Sequence, residues 1–129
     1  MYTHVMVGSN DLPRSRKFYD ALFAAVGGSP AIEDENGRLI YVHKDMMFLV
    51  TKPIDGEPAR CGNGNTIGFG MDDPVQANAW HKAGVDHGGT SIQDPPGIRG
   101  SVIGDLYLAY LRDPDGNKLC ALHRMSVPG

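Results

Sequence analysis

Two residue types in this chain can bind a metal ion or do acid–base and nucleophilic work near neutral pH: five histidines (His4, His43, His81, His87 and His123) and two cysteines (Cys61 and Cys120). An imidazole titrates close to neutrality and serves as base, donor or ligand. A thiolate is a nucleophile or a zinc ligand, but only where a nearby cation lowers its pKa. The cysteines lie far apart and match no paired metal or redox spacing. His43, His81 and His87 fall in strand-end, helix and loop contexts, where a surface histidine is the ordinary case. His4, in a β-branched run, and Cys120, just after the turn "RDPDGNK", are the residues whose settings matter most.

The elements that must position them are legible. Tyr2 to Val7 reads as a strand that breaks at "GSND", where Asp11 caps a helix with Pro13 in its first turn. Leu12, Phe18, Tyr19, Leu22, Phe23 and Val26 recur at three- and four-residue steps until Gly27-Gly28 stops the helix. "PAIEDENG", "RLIYVHK" and "MMFLVTK" follow as strand-like pieces, so the first half reads βαβββ. After the aperiodic "PIDGEPARCGNGN" the order restarts. "TIGFGM" is a strand, and Asp73-Pro74 opens a helix expected to bury Val75, Ala79, Trp80 and Ala83 and to close at Gly84. "VDHGGTSI" is a weak strand, "QDPPGIRGSVIGD" a long loop expected to act as a flap, and "LYLAYLR" and "KLCALHR" a hairpin across Asp-Pro-Asp-Gly. This divides one domain, 1–129, into module one (1–53), a linker (54–63) and module two (64–129). Two half-size units, each too small to bury its own sheet, must share a core or a cavity.

With 129 residues, 41 % hydrophobic and 21 % charged, the chain suits one globular unit. A formal net charge of -3 gives no general attraction to phosphate backbones or anionic lipid, so nucleic acid and membrane are not expected partners. No apolar run approaches the roughly 20 residues that cross a bilayer. With no paired cysteine pattern, the expected setting is the reducing cytoplasm.

"HVMVGSNDLPRSRKFY" near the start and "AYLRDPDGNKLCALH" near the end resemble the vicinal oxygen chelate superfamily, which includes glyoxalase I, extradiol dioxygenases and the bleomycin- and fosfomycin-resistance proteins. The linker "PIDGEPARCGNG" is similar to that of a glyoxalase-like bacterial subgroup of mostly unassigned function. The resemblance covers nearly the whole chain. It implies an α+β fold in which two βαβββ modules form a cup-shaped mixed sheet around a cavity, commonly in a homodimer.

The resemblance further implies four inward positions, one on the first and one on the fourth strand of each module, that usually hold a divalent metal. They fall on His4, Leu49, Thr66 and Cys120. A catalytic ion ordinarily takes three protein ligands and keeps one position open. Only His4 and Cys120 are donors of that kind, and His123, an odd number of residues from Cys120, should face the other way. The expectation is a cup without zinc, nickel, iron or manganese that binds a small organic molecule. The alternative is a divergent glyoxalase-like lyase or dioxygenase using His4 and Cys120 as ligands or as acid and base. Cys120 itself is read first as a small buried hydrophobe, since free cysteine packs like one. Alternation assigns His4, Met6, Met47, Leu49, Thr51, Thr66, Gly68, Cys120 and Leu122 to the lining, with Met6, Leu49, Thr66, Leu122 and the loop residue Arg99 as ligand contacts. Of Tyr107 and Tyr110, three residues apart, at most one faces in.

Overall fold

The computed structural model describes residues 1–125. The first strand, β1 (His4–Gly8), leads into helix α1 (Leu12–Ala24). The Asp11 side chain accepts from the Arg14 N–H, and Gly27 leaves the helix at φ +82°. Strands β2 (Ile32–Glu33), β3 (Leu39–His43) and β4 (Met46–Thr51) complete the first sheet, ordered β1-β4-β3-β2. β1 runs parallel to β4 and the other pairs are antiparallel. After the linker come β5 (Ile67–Gly70), α2 (Pro74–Asp86), β6 (Thr90–Ser91), β7 (Gly97–Arg99), β8 (Leu106–Arg112) and β9 (Lys118–Arg124). The second sheet repeats the plan in the order β5-β9-β8-β6, with β5 parallel to β9. The chain therefore has the expected α+β fold of repeated modules, with β1 and β5 each ending its own sheet at an open edge.

Module two departs from the sequence reading in several places, among them α2, which runs through Gly84 to Asp86 and leaves only Thr90–Ser91 of the expected "VDHGGTSI" strand. Gly97–Arg99 pairs with β8, giving module two five strands; the segment expected to be a flap is in part sheet edge. In α2 the buried residues are Ala77, Trp80 and Gly84, whereas Val75 is 76 % exposed. The helix is turned so that Gly84 meets Leu111, where an added Cβ would sit 2.3 Å from Leu111 Cδ1. That face cannot be read from periodicity, because its key residue has no side chain.

One apolar cluster joins both modules. Phe18, Tyr19, Leu22 and Phe23 of α1 pack with Tyr41 and Phe48 of the first sheet and with Trp80, Leu111 and Leu119 of module two. Phe23 stacks on Tyr41 at 4.5 Å, and Phe48 meets Phe69 at 5.4 Å. Each such side chain contributes about 1.5–3 kcal/mol on burial, so neither module keeps its core without the other.

Candidate functional site

Alternation sorts each sheet into two faces. Val5, Val7, Phe48 and Val50 pack with the helices, so His4, Met6, Met47, Leu49 and Thr51 take the opposite face. Register sets His4 beside Met47, Met6 beside Leu49 and Gly8 beside Thr51. In the second sheet Ile67, Phe69, Leu119 and Ala121 face the helices, leaving Gly68 beside Cys120 and Gly70 beside Leu122 on the other side. Thr66 stands one residue ahead of β5 and is exposed.

The individual settings decide what these residues can do. His4 is exposed, and its Nδ1 lies 2.9 Å from the Thr3 hydroxyl. Leu49 is buried between Met6 and Ile40. Cys120 is 5 % exposed in an apolar patch with Leu106 and Leu108, edged by Tyr110 and Leu122. Burial pushes its thiol up, partly offset by the Tyr110 hydroxyl and the Lys118 ammonium. A thiol so placed is a poor nucleophile and a reluctant ligand. His4 and Cys120 lie on different sheets, and among the described residues no three His, Cys, Asp or Glu side chains converge as a metal site.

Arg99, half-buried on β7, is held by its own loop: it donates to the Pro95 carbonyl at 2.6 Å and stands 3.9 Å from Asp94. His123 stands across from Tyr107, on the face opposite Cys120, and its Nδ1 lies 3.0 Å from the Met71 carbonyl. His81 pairs with the Ser91 hydroxyl, and burial lowers its pKa. Tyr110 is the tyrosine on the Cys120 face and stands directly across from it, with Lys118 Nζ 5.1 Å from its ring centre. Tyr107 takes the other face and donates to Asn78. The Tyr110–Cys120 pairing was within reach of the sequence, since counting outward from the Asp-Pro-Asp-Gly turn gives the hairpin register.

The turn itself has a second role. Asp113, 4 % exposed, accepts from the backbone N–H groups of Asp115 and Asn117, from the Asn117 amide and from the Tyr19 hydroxyl. Asp115 accepts from the Asn10 N–H and from Arg14 and Ser15. The residues that make this turn therefore also fasten module two to the start of α1.

No family model matches the chain, and no curated protein does. Among solved structures, a glyoxalase/bleomycin resistance protein from Albidiferax ferrireducens T118 is 52 % identical, with a TM-score of 0.93 over 96 % of this chain and 99 % of that one. The hypothetical protein SA1046 from S. aureus shares the fold at 17 % identity and a TM-score of 0.72, over 95 % of this chain and 91 % of that one. A lactoylglutathione lyase from Agrobacterium tumefaciens does so at 18 % and 0.66, over 95 % and 92 %. Sequence identity above half, sustained along both chains, shows that the protein belongs to the glyoxalase/bleomycin resistance/dioxygenase superfamily.

Proposed function

We propose that this protein holds a small organic molecule, largely apolar with few hydrogen-bonding groups, on the sheet faces that look away from its helices, and that it does so without a resident metal. The observation that carries this reading is the donor set. His4, Leu49, Thr66 and Cys120 supply two donors in any arrangement of the modules, one of them a thiol that burial keeps protonated. That set does not fit a catalytic divalent ion, which takes three protein ligands. The surroundings of Cys120, with Leu106, Leu108 and Leu122, suit an apolar body, and Tyr110 offers a hydroxyl and a ring. Sequestration in the cytoplasm, as in a resistance protein, needs no more than this.

The reading includes a homodimer. Met6, Val42 and Met47 are 42 %, 56 % and 39 % exposed on one sheet face, an apolar surface that a second copy would cover. Gly68 and Gly70, on the open-edged strand β5, have nothing within 4 Å of where a Cβ would lie. A partner or a ligand can therefore approach that backbone closely.

A divergent lyase or dioxygenase using His4 and Cys120 is the competing reading, favoured by the Tyr110 phenol standing opposite the Cys120 thiol. Thermal unfolding against a panel of small aromatic and aliphatic compounds, with and without chelator, separates the two. Binding to the folded state alone raises the melting temperature with ligand concentration. Metal-independent stabilisation supports the receptacle, whereas turnover that disappears with chelator and with His4→Ala supports the enzyme.

A further inference from the structure

The two modules meet at two related junctions. At each, the last turn of one module's sheet lies near the start of the other module's helix. At the first, the Asp113–Asn117 turn is fastened to α1, and the space is filled by Tyr19, by Asp115 and by Ser9 and Ser15, whose hydroxyls lie 2.6 Å apart. At the second, the hairpin turn Lys44-Asp45 faces the segment before α2, and Lys44 Nζ meets the Asp72 carboxylate at 2.7 Å. Behind that bridge the junction is not filled: a cavity of about 280 Å³ remains.

We infer that this cavity is a second binding site, set between the helices and the sheets and touching the cup faces through Met47, Gly68 and Gly70, for a small uncharged aromatic molecule of one or two rings. None of His4, Leu49, Thr66 and Cys120 lines it. Its walls include Phe23, Phe48, Phe69 and Trp80, already in edge-on and tilted contact, with Phe69 5.4 Å from Phe48 and 5.9 Å from Trp80. Such walls offer ring faces and edges to another ring. Met46, Met47 and Met71 also line it, and methionine adapts to irregular ligand shapes.

Size and polarity narrow the occupant. An apolar cavity of roughly 150 Å³ stays dry and takes benzene, so the larger volume here has room for a substituted ring or two fused rings. Tyr41, His43 and Lys44 are polar side chains of the lining; His43 meets Phe23 edge-on with ring centres 6.1 Å apart, and the other two are engaged in hydrogen bonds. The Tyr41 hydroxyl donates to Asp20, and the Lys44 ammonium is paired with Asp72. Recognition therefore rests mainly on shape and burial, with the His43 imidazole as a further hydrogen-bonding group of the lining, which favours an uncharged ligand. The mouth carries one more mark of a site. Lys44 and Asp45 stand at φ 47° and 65°, left-handed positions where a two-residue hairpin turn prefers Asn-Gly. A lysine and an aspartate held there incur a backbone cost, and the turn brings Lys44, a residue of the cavity lining, against Asp72.

Trp80 reports on the cavity directly, because it is the single tryptophan of the chain, it is 1 % exposed and it lies in the cavity wall. Bromobenzene, an uncharged aromatic heavy-atom quencher, is the probe. Titration should quench Trp80 emission along a saturating curve. Val26→Phe, which places a ring in the cavity, should weaken the apparent affinity by about tenfold or more, while Cys120→Ala leaves it unchanged. Should Val26→Phe lose cooperative unfolding, Met71→Phe fills the same space and is held to the same criterion. Quenching that rises linearly without saturation, that survives the filling substitution, or that is lost with Cys120→Ala would overturn the assignment.

Discussion

The Tyr19 hydroxyl donates to the Asp113 carboxylate at 2.5 Å, joining the first helix to the last turn across 94 residues of sequence. Both partners are buried, and the carboxylate is otherwise occupied in closing its own turn. The fastening between modules and the geometry of the β8–β9 hairpin are thus a single network. Removing the phenol leaves a buried acceptor short of one donor, and removing the carboxylate disturbs four hydrogen bonds.

Tyr19→Phe is therefore expected to lower unfolding free energy by about 1–3 kcal/mol and Asp113→Asn by about 2–4 kcal/mol. The double variant should cost clearly less than the sum, since both substitutions remove the same bond. Urea unfolding of the four proteins checks this, and strict additivity would mean the two residues act independently.

Alkaline stability follows from the same tyrosine. Burial, then the Asp113 charge, raises the Tyr19 phenol well above 10.0, and burial with the Asp20 hydrogen bond raises Tyr41 likewise. Above pH 10 the unfolded chain releases protons that the folded chain keeps, so stability is present below that value and falls as pH rises past it. Each group contributes about 1.4 kcal/mol per pH unit. Tyr19→Phe should remove one group's share of that slope, read as urea midpoints between about pH 9 and pH 11.

Two glycines with opposite surroundings give a paired test. At Gly84 a Cβ would meet Leu111 at 2.3 Å, so Gly84→Ala should destabilise by about 1–3 kcal/mol. At Gly70 a Cβ meets nothing within the chain, so Gly70→Val should leave the melting of an isolated chain nearly unchanged. In the proposed homodimer the same substitution intrudes on the approach to β5, and sedimentation velocity should show dissociation. A Gly70→Val protein that sediments like the parent dimer would move the interface elsewhere.

The two thiols should also part company. Cys61 is exposed and Cys120 buried with its pKa raised by that burial. Iodoacetamide at neutral pH should label Cys61 rapidly and Cys120 only on unfolding, as read by peptide mass spectrometry.

Much of this architecture could be read in the sequence because it is local. Asp11 and Asp73 cap their helices as their positions before Leu12-Pro13 and Pro74 suggest, and alternation from His4 and Cys120 correctly separates the two faces of each sheet. What escaped depends on how the modules meet. No spacing rule links Tyr19 to Asp113, or places a cavity behind Lys44. The burial of Gly84 is invisible to a pattern built on side-chain size, and β7 is too short and too rich in glycine and proline around it to register as a strand. The Tyr110–Cys120 pairing lies between these cases: the turn fixed the register, but the choice between Tyr107 and Tyr110 needed the face of Cys120 to be known.

The central claim is that the cup works without a resident metal, and elemental analysis of untagged protein grown in metal-supplemented medium, beside Cys120→Ala, tests it most directly. The account predicts zinc, nickel, iron and manganese well below one ion per chain in both proteins. Near-stoichiometric metal in the parent that is lost in Cys120→Ala would contradict it and make Cys120 a ligand.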